Sequence, residues 1–505
     1  MSRRLVRLPI HLLIRLRATV DIGKPKINSI FSLNNDQCYF KFISCVRSSA
    51  VKISSLQELL LSLMDGNESD GSDSGSEELP TQNRDDHGEA DDPDEDGSEA
   101  SPVHMPATLR QVYYDSEAES VDVEAIEVEE PYDISIAASH SYLGAGLEQA
   151  RGRRVLEAGW RGRVPVAAHH GVVFPGEVVP MLLPHAADAA LIVDAINTHK
   201  LFGLLCPSET GDKLSGYGVL CEVMMFGIEH MLAQPTSVTF KARAIHRFVL
   251  ERGPRAALAY RRMRAAELRV LPELAARDGL RAARLASLDA LRSPLPLAPG
   301  QRRLRALDAA ATPWPLFVHD ILDFERMRRF ICDYFDTMSL GDRLPEEPVS
   351  LSFWVASNLP LSLADRLALF AVDNALLRLH MECHFISRVN KSVLCCSSCM
   401  TQIARREHLF AMSSEGVHSN YTNLGGYMHD LLTVREVSNV RAAGPSSEEY
   451  SWFPGYSWTV AHCRLCAAHV GWRFDATKGR LRPLTFYGIC RNYVTPHTDD
   501  SAQHL

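Results

Sequence analysis

The sequence predicts an α+β protein of two globular domains behind an N-terminal tail. Three observations carry that prediction: a long acidic stretch nearly free of aromatic residues, short β-branched segments that give way to helical periodicity, and two Cys-x-x-Cys pairs near the C-terminus. At 505 residues and 46% apolar composition, the chain exceeds what one hydrophobic core usually fills and has material for two. The net charge of -9 conceals segregation, because fifteen acids between Asp65 and Glu99 face the single base Arg84, whereas Arg255–Arg305 is crowded with arginine.

Residues 1–160 read as a mostly disordered N-terminal region. Met1–Val20 carries Arg3, Arg4, Arg7, Arg15 and Arg17, no acid, and Leu5, Leu8, Leu12 and Leu13 spaced to share a helical face. A mitochondrial transit peptide and a plain basic extension both fit that pattern. A helical patch near Leu56–Met64 has too little context to fold alone. From Asp65 to about Glu130 the chain cannot bury enough apolar surface to offset its conformational entropy, so disorder is expected. That segment reads either as a docking or phosphorylation site or as a solvating tail.

Ordered structure is expected from about Arg163, in a domain spanning 161–390. Val164–Val166, Gly171–Gly176 and Val178–Leu183 read as short strands broken by Pro and Gly; Ala187–Asn197 reads as a helix. Leu201–Leu205, Gly216–Met225 and Thr239–Leu250 read as further strands of a small curled β domain. From Arg255 the Ala, Arg and Leu content predicts helix through Leu291, then a break at Ser293–Pro299 and another helix over Trp314–Phe335. Beyond a linker at Leu344–Pro348, Ser362 with Asp365 three residues on marks a helix start, and Leu367, Phe370, Ala371 and Leu377 supply its apolar stripe.

The last domain, 391–495, holds the strongest chemical signal. Cys396-Ser-Ser-Cys399 and Cys463-Arg-Leu-Cys466 each present two thiolates to one ion, and two such turns close a tetrahedral shell of soft donors. One structural Zn2+ with no open coordination position is the expectation. The 63 residues between the pairs exceed a zinc-finger spacing and imply a small β domain folded between them. A redox pair is the alternative; Cys395, His462 and His469 lie close by and are read as bystanders. Twelve cysteines are too few for a disulfide scaffold in a chain this long, which points to a reducing compartment, cytoplasm or nucleus. No run reaches the roughly eighteen apolar residues of a membrane span.

Around the second cysteine pair crowd Trp452, Phe453, Tyr456, Trp458, Trp472 and Phe474, with three of the six tryptophans inside twenty-one residues. Such a cluster fits the walls of a pocket for a flat uncharged or cationic ligand, and it also fits an aromatic-rich core.

These residues carry a resemblance. Ser451-Trp-Phe-Pro-Gly-Tyr-Ser-Trp458 and the run from Cys463 through His469, Gly471, Trp472 and Phe474 to Lys478 resemble the CULT domain of the cereblon family, as do Gly426–His429 and Leu432–Val434. Val164–Val166, Phe174–Gly176 and Pro180–Leu183 look like the start of a LON substrate-binding domain, with Trp314-Pro315 and the helices to Leu379 resembling its helical half in that family.

The resemblance implies a non-catalytic substrate receptor of a cullin-four RING ubiquitin ligase. The LON half would dock on the damaged-DNA-binding-protein adaptor. Trp452, Trp458, Trp472 and Phe474 would cage cyclic imides: small-molecule glutarimides, thalidomide-like drugs and the C-terminal cyclic-imide degrons of substrate proteins. The backbone beside Trp452 would pair with the imide edge. Asn423 matches an asparagine lining the family's pocket, although Leu424-Gly425 replace the usual Pro-His, and Tyr450 stands where the family commonly has histidine.

Two other classes are weighed. A Lon-type protease needs a Gly-x-x-x-x-Gly-Lys-Ser/Thr phosphate loop and a Ser-Lys pair, and the zinc module occupies the place of those domains. A zinc-dependent nucleic-acid-binding protein would use the arginines of Arg255–Arg305, yet helical arginines usually form a solvated face, and bases do not interleave the aromatic cluster. No direct nucleic-acid or membrane partner is expected.

Overall fold

The computed structural model describes residues 129–498 apart from 153–154, 212, 232–233, 253–261, 276–279, 281–283, 285, 292–300 and 313–315. The basic leader, the Leu56–Met64 patch, the acidic tail, the Ser293–Pro299 break and Trp314-Pro315 lie outside the described residues.

Structure begins earlier than the expected Arg163. Strand β1 (Glu130–Pro131), helix α1 (Ile134–Ser139) and strand β2 (Glu148–Gln149) precede it. β1 pairs in parallel with Leu481–Arg482, the Asp133 carboxylate caps α1 by accepting the Ser135 N–H, and the Tyr142 hydroxyl accepts the Thr422 N–H at 3.0 Å. Tyr132 is buried with its ring 5.4 Å from that of Tyr456. The acidity of the preceding stretch hid these few anchors, whose partners lie some three hundred residues downstream.

Strands β3 (Arg161–Ala168), β4 (Val178–Leu183), β5 (Leu201–Pro207), β6 (Leu214–Met231), β7 (Gln234–Arg252) and β8 (Arg264–Val270), with helix α2 (Ala186–Thr198), form the β domain. β5, β6, β7, β8 and β3 pair in a closed ring, β3 and β5 being its parallel pair, while β2 and β4 add at its margins. Closure leaves each strand of the ring itself paired on both sides, so the ring has no open edge of its own. Val164, Val166, Leu205, Leu220, Phe248 and Leu268 share one buried cluster. Phe248 fits there because β6 offers no side chain beneath it: a Cβ on Gly218 would lie 2.5 Å from its Cζ.

Two expectations fail in this domain. Gly171–Gly176 is a buried loop rather than a strand: Pro175 and Gly176, at φ +101°, turn the chain, and the Glu177 carboxylate takes up the Phe174 N–H. Residues 264–270, read as helix from their Ala and Arg content, form β8. Ala266, Leu268 and Val270 are buried at a period of two, and pairing with β3 and β7 overrides helix propensity.

The helical half comprises α3 (Gln301–Ala310), α4 (Leu316–Ile321), α5 (Phe324–Asp336), α6 (Pro348–Asn358), α7 (Leu363–Phe370) and α8 (Ala375–Val389). The single helix expected to Phe335 is split, because the Asp323 carboxylate accepts the Arg326 N–H and starts α5 afresh. Ser362 caps α7 as expected, its hydroxyl accepting the Asp365 N–H and donating to the Asp365 carboxylate. Arg247 of β7 and Arg378 of α8, both fully buried, share the Glu273 carboxylate and join the barrel to the helices.

Through Asn390-Lys391, α8 leads into β9 (Ser392–Cys396), followed by β10 (Gln402–Arg405), β11 (His418–Thr422), β12 (Met428–Val434), β13 (Val440–Ala442), β14 (Tyr456–Cys463), β15 (His469–Ala476), β16 (Leu481–Arg482), β17 (Thr485–Cys490) and β18 (Val494–Thr498). They form a three-stranded sheet, β10-β9-β18, and a six-stranded sheet, β11-β12-β17-β15-β14-β13.

One buried acid ties this module to the rest. Asp430 on β12 is 2.7 Å from the Arg366 guanidinium of α7, and Arg491 and His418 approach its other oxygen at 3.3 and 2.8 Å. Arg366 also donates to the Val172 carbonyl in the buried loop. Around this hub, Asn420 donates to the Glu177 carboxylate and Arg491 to the Ser357 carbonyl. Among the described residues, no helix is long and apolar enough to cross a membrane.

Candidate functional site: a four-cysteine centre beside an aromatic cluster

The two Cys-x-x-Cys segments fold into near-copies of one turn. In the first, the Met400 N–H bonds the Cys396 carbonyl and the Cys396 N–H bonds the Thr401 carbonyl; in the second, Ala467, Cys463 and Ala468 repeat those bonds. Met400 and Ala467, each just after the second cysteine, both adopt left-handed backbone, at φ 61° and 59°. The turns face each other, with Cys396 and Cys466 sulfurs 3.7 Å apart and Cys399 and Cys463 sulfurs 3.6 Å apart. All four sulfurs lie within 4.8 Å of one another. Thiolates about 2.3 Å from a tetrahedral ion stand about 3.8 Å apart, so this is the donor cage of one structural zinc. Neither His462 nor His469 belongs to the cluster, and Cys395, adjacent on a strand, points to the opposite face from Cys396.

The aromatic residues gather on the six-stranded sheet. Trp458 on β14 stands opposite Phe474 on β15, and Trp472 two residues earlier shares the face of Phe474. Trp452, in the turn before β14, packs its ring against Trp472 at 4.7 Å and 75°, and lies 6.5 Å from Phe474. Its indole N–H donates to the Thr422 carbonyl, and the Trp458 N–H donates to the Glu449 carbonyl, so both rings are fixed by their polar ends. Trp452 and Phe474 are buried, whereas Trp458 and Trp472 remain partly open to solvent. Beneath them, Phe453, Tyr456 and Phe486 complete the core. Gly471 permits the arrangement: a Cβ there would lie 2.0 Å from the Gly488 carbonyl oxygen of the neighbouring β17.

Asn423 closes the turn between β11 and β12, its carbonyl accepting the Tyr427 N–H, and its amide lies 3.3 Å from His429 Nε2. Tyr450 is exposed and left-handed at φ 54°, immediately before Ser451-Trp452. The structure adds residues that the sequence reading did not name for this site. His429 sits 5.6 Å from Trp452 and 4.9 Å from Trp472, Tyr421 stacks on Trp452 at 5.4 Å, and His469 meets Trp472 at 4.7 Å. Burial, and then His469, pushes His429 down to about 4, so it meets the tryptophans as a neutral imidazole. Tyr421 and His429 are direct cross-strand partners, a signal present in the alternation of β11 and β12.

Comparison with known proteins sets these features in a family. A model described as Yippee zinc-binding/DNA-binding/Mis18, centromere assembly, matches residues 392–503. Protein cereblon of Gallus gallus is 30% identical over 394 residues, covering 74% of this chain and 87% of that protein. The chain belongs to the cereblon family. The Xenopus tropicalis cereblon is likewise 30% identical, over 80% of this chain and 95% of its own length. Drosophila grimshawi cereblon is 31% identical over 72% of this chain and 54% of its own. Of solved structures, a Lon N-terminal domain protein from Xanthomonas campestris aligns at 17% identity with TM-score 0.26, covering 43% of this chain and 95% of that one. The N-terminal domain of a Mycobacterium avium complex Lon protease aligns with TM-score 0.27. Within the cereblon family, the four cysteines and three clustered tryptophans of this chain thus fall in the zinc-binding segment that the family model covers.

Proposed function

We propose that this member of the cereblon family is the non-catalytic substrate receptor of a cullin-four RING ubiquitin ligase. In this reading it holds cyclic imides between Trp452, Trp458, Trp472 and Phe474, with Asn423 and Tyr450 at the rim. The observation that carries the reading is the shared face of β14 and β15, on which Trp458, Trp472 and Phe474 converge while Trp452 closes from the preceding turn. Ring faces suit the flat apolar sides of a glutarimide, and the imide's planar donor-acceptor edge needs backbone partners such as those beside Trp452.

The LON-like half would dock on the damaged-DNA-binding-protein adaptor, and the receptor would contribute proximity rather than bond-making chemistry. Ligands include thalidomide-like glutarimides and substrate proteins ending in cyclic imides; the compartments are cytoplasm and nucleus. Zinc has a structural part here, with all four positions taken by Cys396, Cys399, Cys463 and Cys466.

Reconstitution with the adaptor, cullin, RING subunit and charged conjugating enzyme tests the reading. Ubiquitin transfer to a protein bearing a C-terminal cyclic imide is expected, with free glutarimide competing; transfer indifferent to the imide would remove the proposal. Within the pocket, Trp458→Ala is expected to weaken imide binding by about 2 kcal/mol or more, roughly thirtyfold, in calorimetry. Undiminished affinity would mean that the ligand sits elsewhere.

A further inference from the structure

We propose that His380 and His384 form a second metal site, selective for a transition-metal dication that favours imidazole, such as Ni2+ or Cu2+. The two residues are four apart on α8, one turn above the other on the same face. Their Nε2 atoms are 3.3 Å apart and their ring planes are inclined at 83°. Two imidazole nitrogens at about 2.0–2.1 Å from an ion stand about 2.8–3.0 Å apart at the right angles of a square-planar or octahedral shell and about 3.3–3.4 Å apart at the tetrahedral angle, so the helix presents this pair within about 0.5 Å of chelating spacing.

The pair lies on the helical half, on a different element from every cysteine of the zinc centre. His380 is partly buried and His384 exposed, so the pair is reachable from water. Among the described residues, the cysteine cluster alone gathers three or more ligand atoms, and the pair contributes two imidazole nitrogens. Two neutral nitrogens and water suit borderline metals rather than calcium or magnesium, and the usual affinity order places Cu2+ above Ni2+. Arg326 on α5 acts electrostatically on His380 and opposes a cation there. A bound ion would clamp one turn of α8, the helix that carries the buried Arg378 and continues into β9 and Cys396.

The test is nickel titration of the zinc-loaded full-length protein by calorimetry, beside His384→Ala, with zinc content measured on both. Wild type is expected to take one Ni2+ in addition to its zinc and to melt at higher temperature with nickel. His384→Ala, altered at an exposed position, is expected to keep its zinc and its nickel-free melting temperature while losing both nickel effects. Equal nickel uptake by the variant would assign the metal to other histidines, and no uptake by wild type would leave the pair as a hydrogen bond between two rings; either result overturns the proposal.

Discussion

Cys463→Ser is expected to cost the protein its zinc and to unfold the C-terminal module. A serine hydroxyl does not ionise to replace the thiolate, and the remaining three sulfurs cannot close the shell. Structural zinc contributes about 10–16 kcal/mol in small domains where metal binding and folding are coupled, as much as the whole stability of a typical domain, about 5–15 kcal/mol. The consequence is not local, because Cys463 ends β14, whose residues pair with β13 and β15 and carry Trp458. Metal analysis should find well under one zinc per chain, and near-ultraviolet dichroism should lose the contribution of Trp452, Trp458 and Trp472, three of the six tryptophans. A variant that retained the wild-type melting profile without zinc would refute the structural role.

The second large effect is expected at Asp430→Asn. The substitution keeps the shape of the side chain and removes its charge, leaving Arg366 and Arg491 buried without their common counter-ion. Breaking a buried pair in this way typically costs about 3–5 kcal/mol, to be read as a lower urea midpoint. The pH dependence checks the cause. Burial by itself raises the Asp430 carboxyl, but Arg366, then Arg491 and His418, hold it well below the usual carboxylate range. A carboxyl lowered in the folded state stabilises above its unfolded pKa of about 4 and loses that contribution as pH falls towards its folded value. The gap between wild type and variant should therefore be full at pH 7 and shrink below about pH 4. A gap independent of pH would assign the loss to packing instead.

How much of this was legible in the sequence follows from the range over which each signal acts. The cysteine turns were legible because a Cys-x-x-Cys pair fixes its own geometry, and only the meeting of the two turns needed the fold. The tryptophans were legible as a cluster, whereas their contacts with Tyr421 and His429 depend on β11 and β12 lying across the sheet. The Ser362 cap is a local hydrogen bond and was found. β8 was missed because Ala and Arg favour helix locally and only the closing barrel supplies its strand partners. The Asp430 hub joins residues from Val172 to Arg491, and no local pattern marks such a set.

The central claim is that a zinc-stapled module in this chain holds a cyclic imide between its tryptophans. Titrating the purified protein with a glutarimide while following tryptophan fluorescence, with zinc measured on the same sample, tests it most directly. Saturable quenching at one ligand and one zinc per chain is the predicted result. A full complement of zinc with no change in fluorescence and no competition from a cyclic-imide peptide would contradict it, leaving the fold intact and the pocket assigned to another ligand.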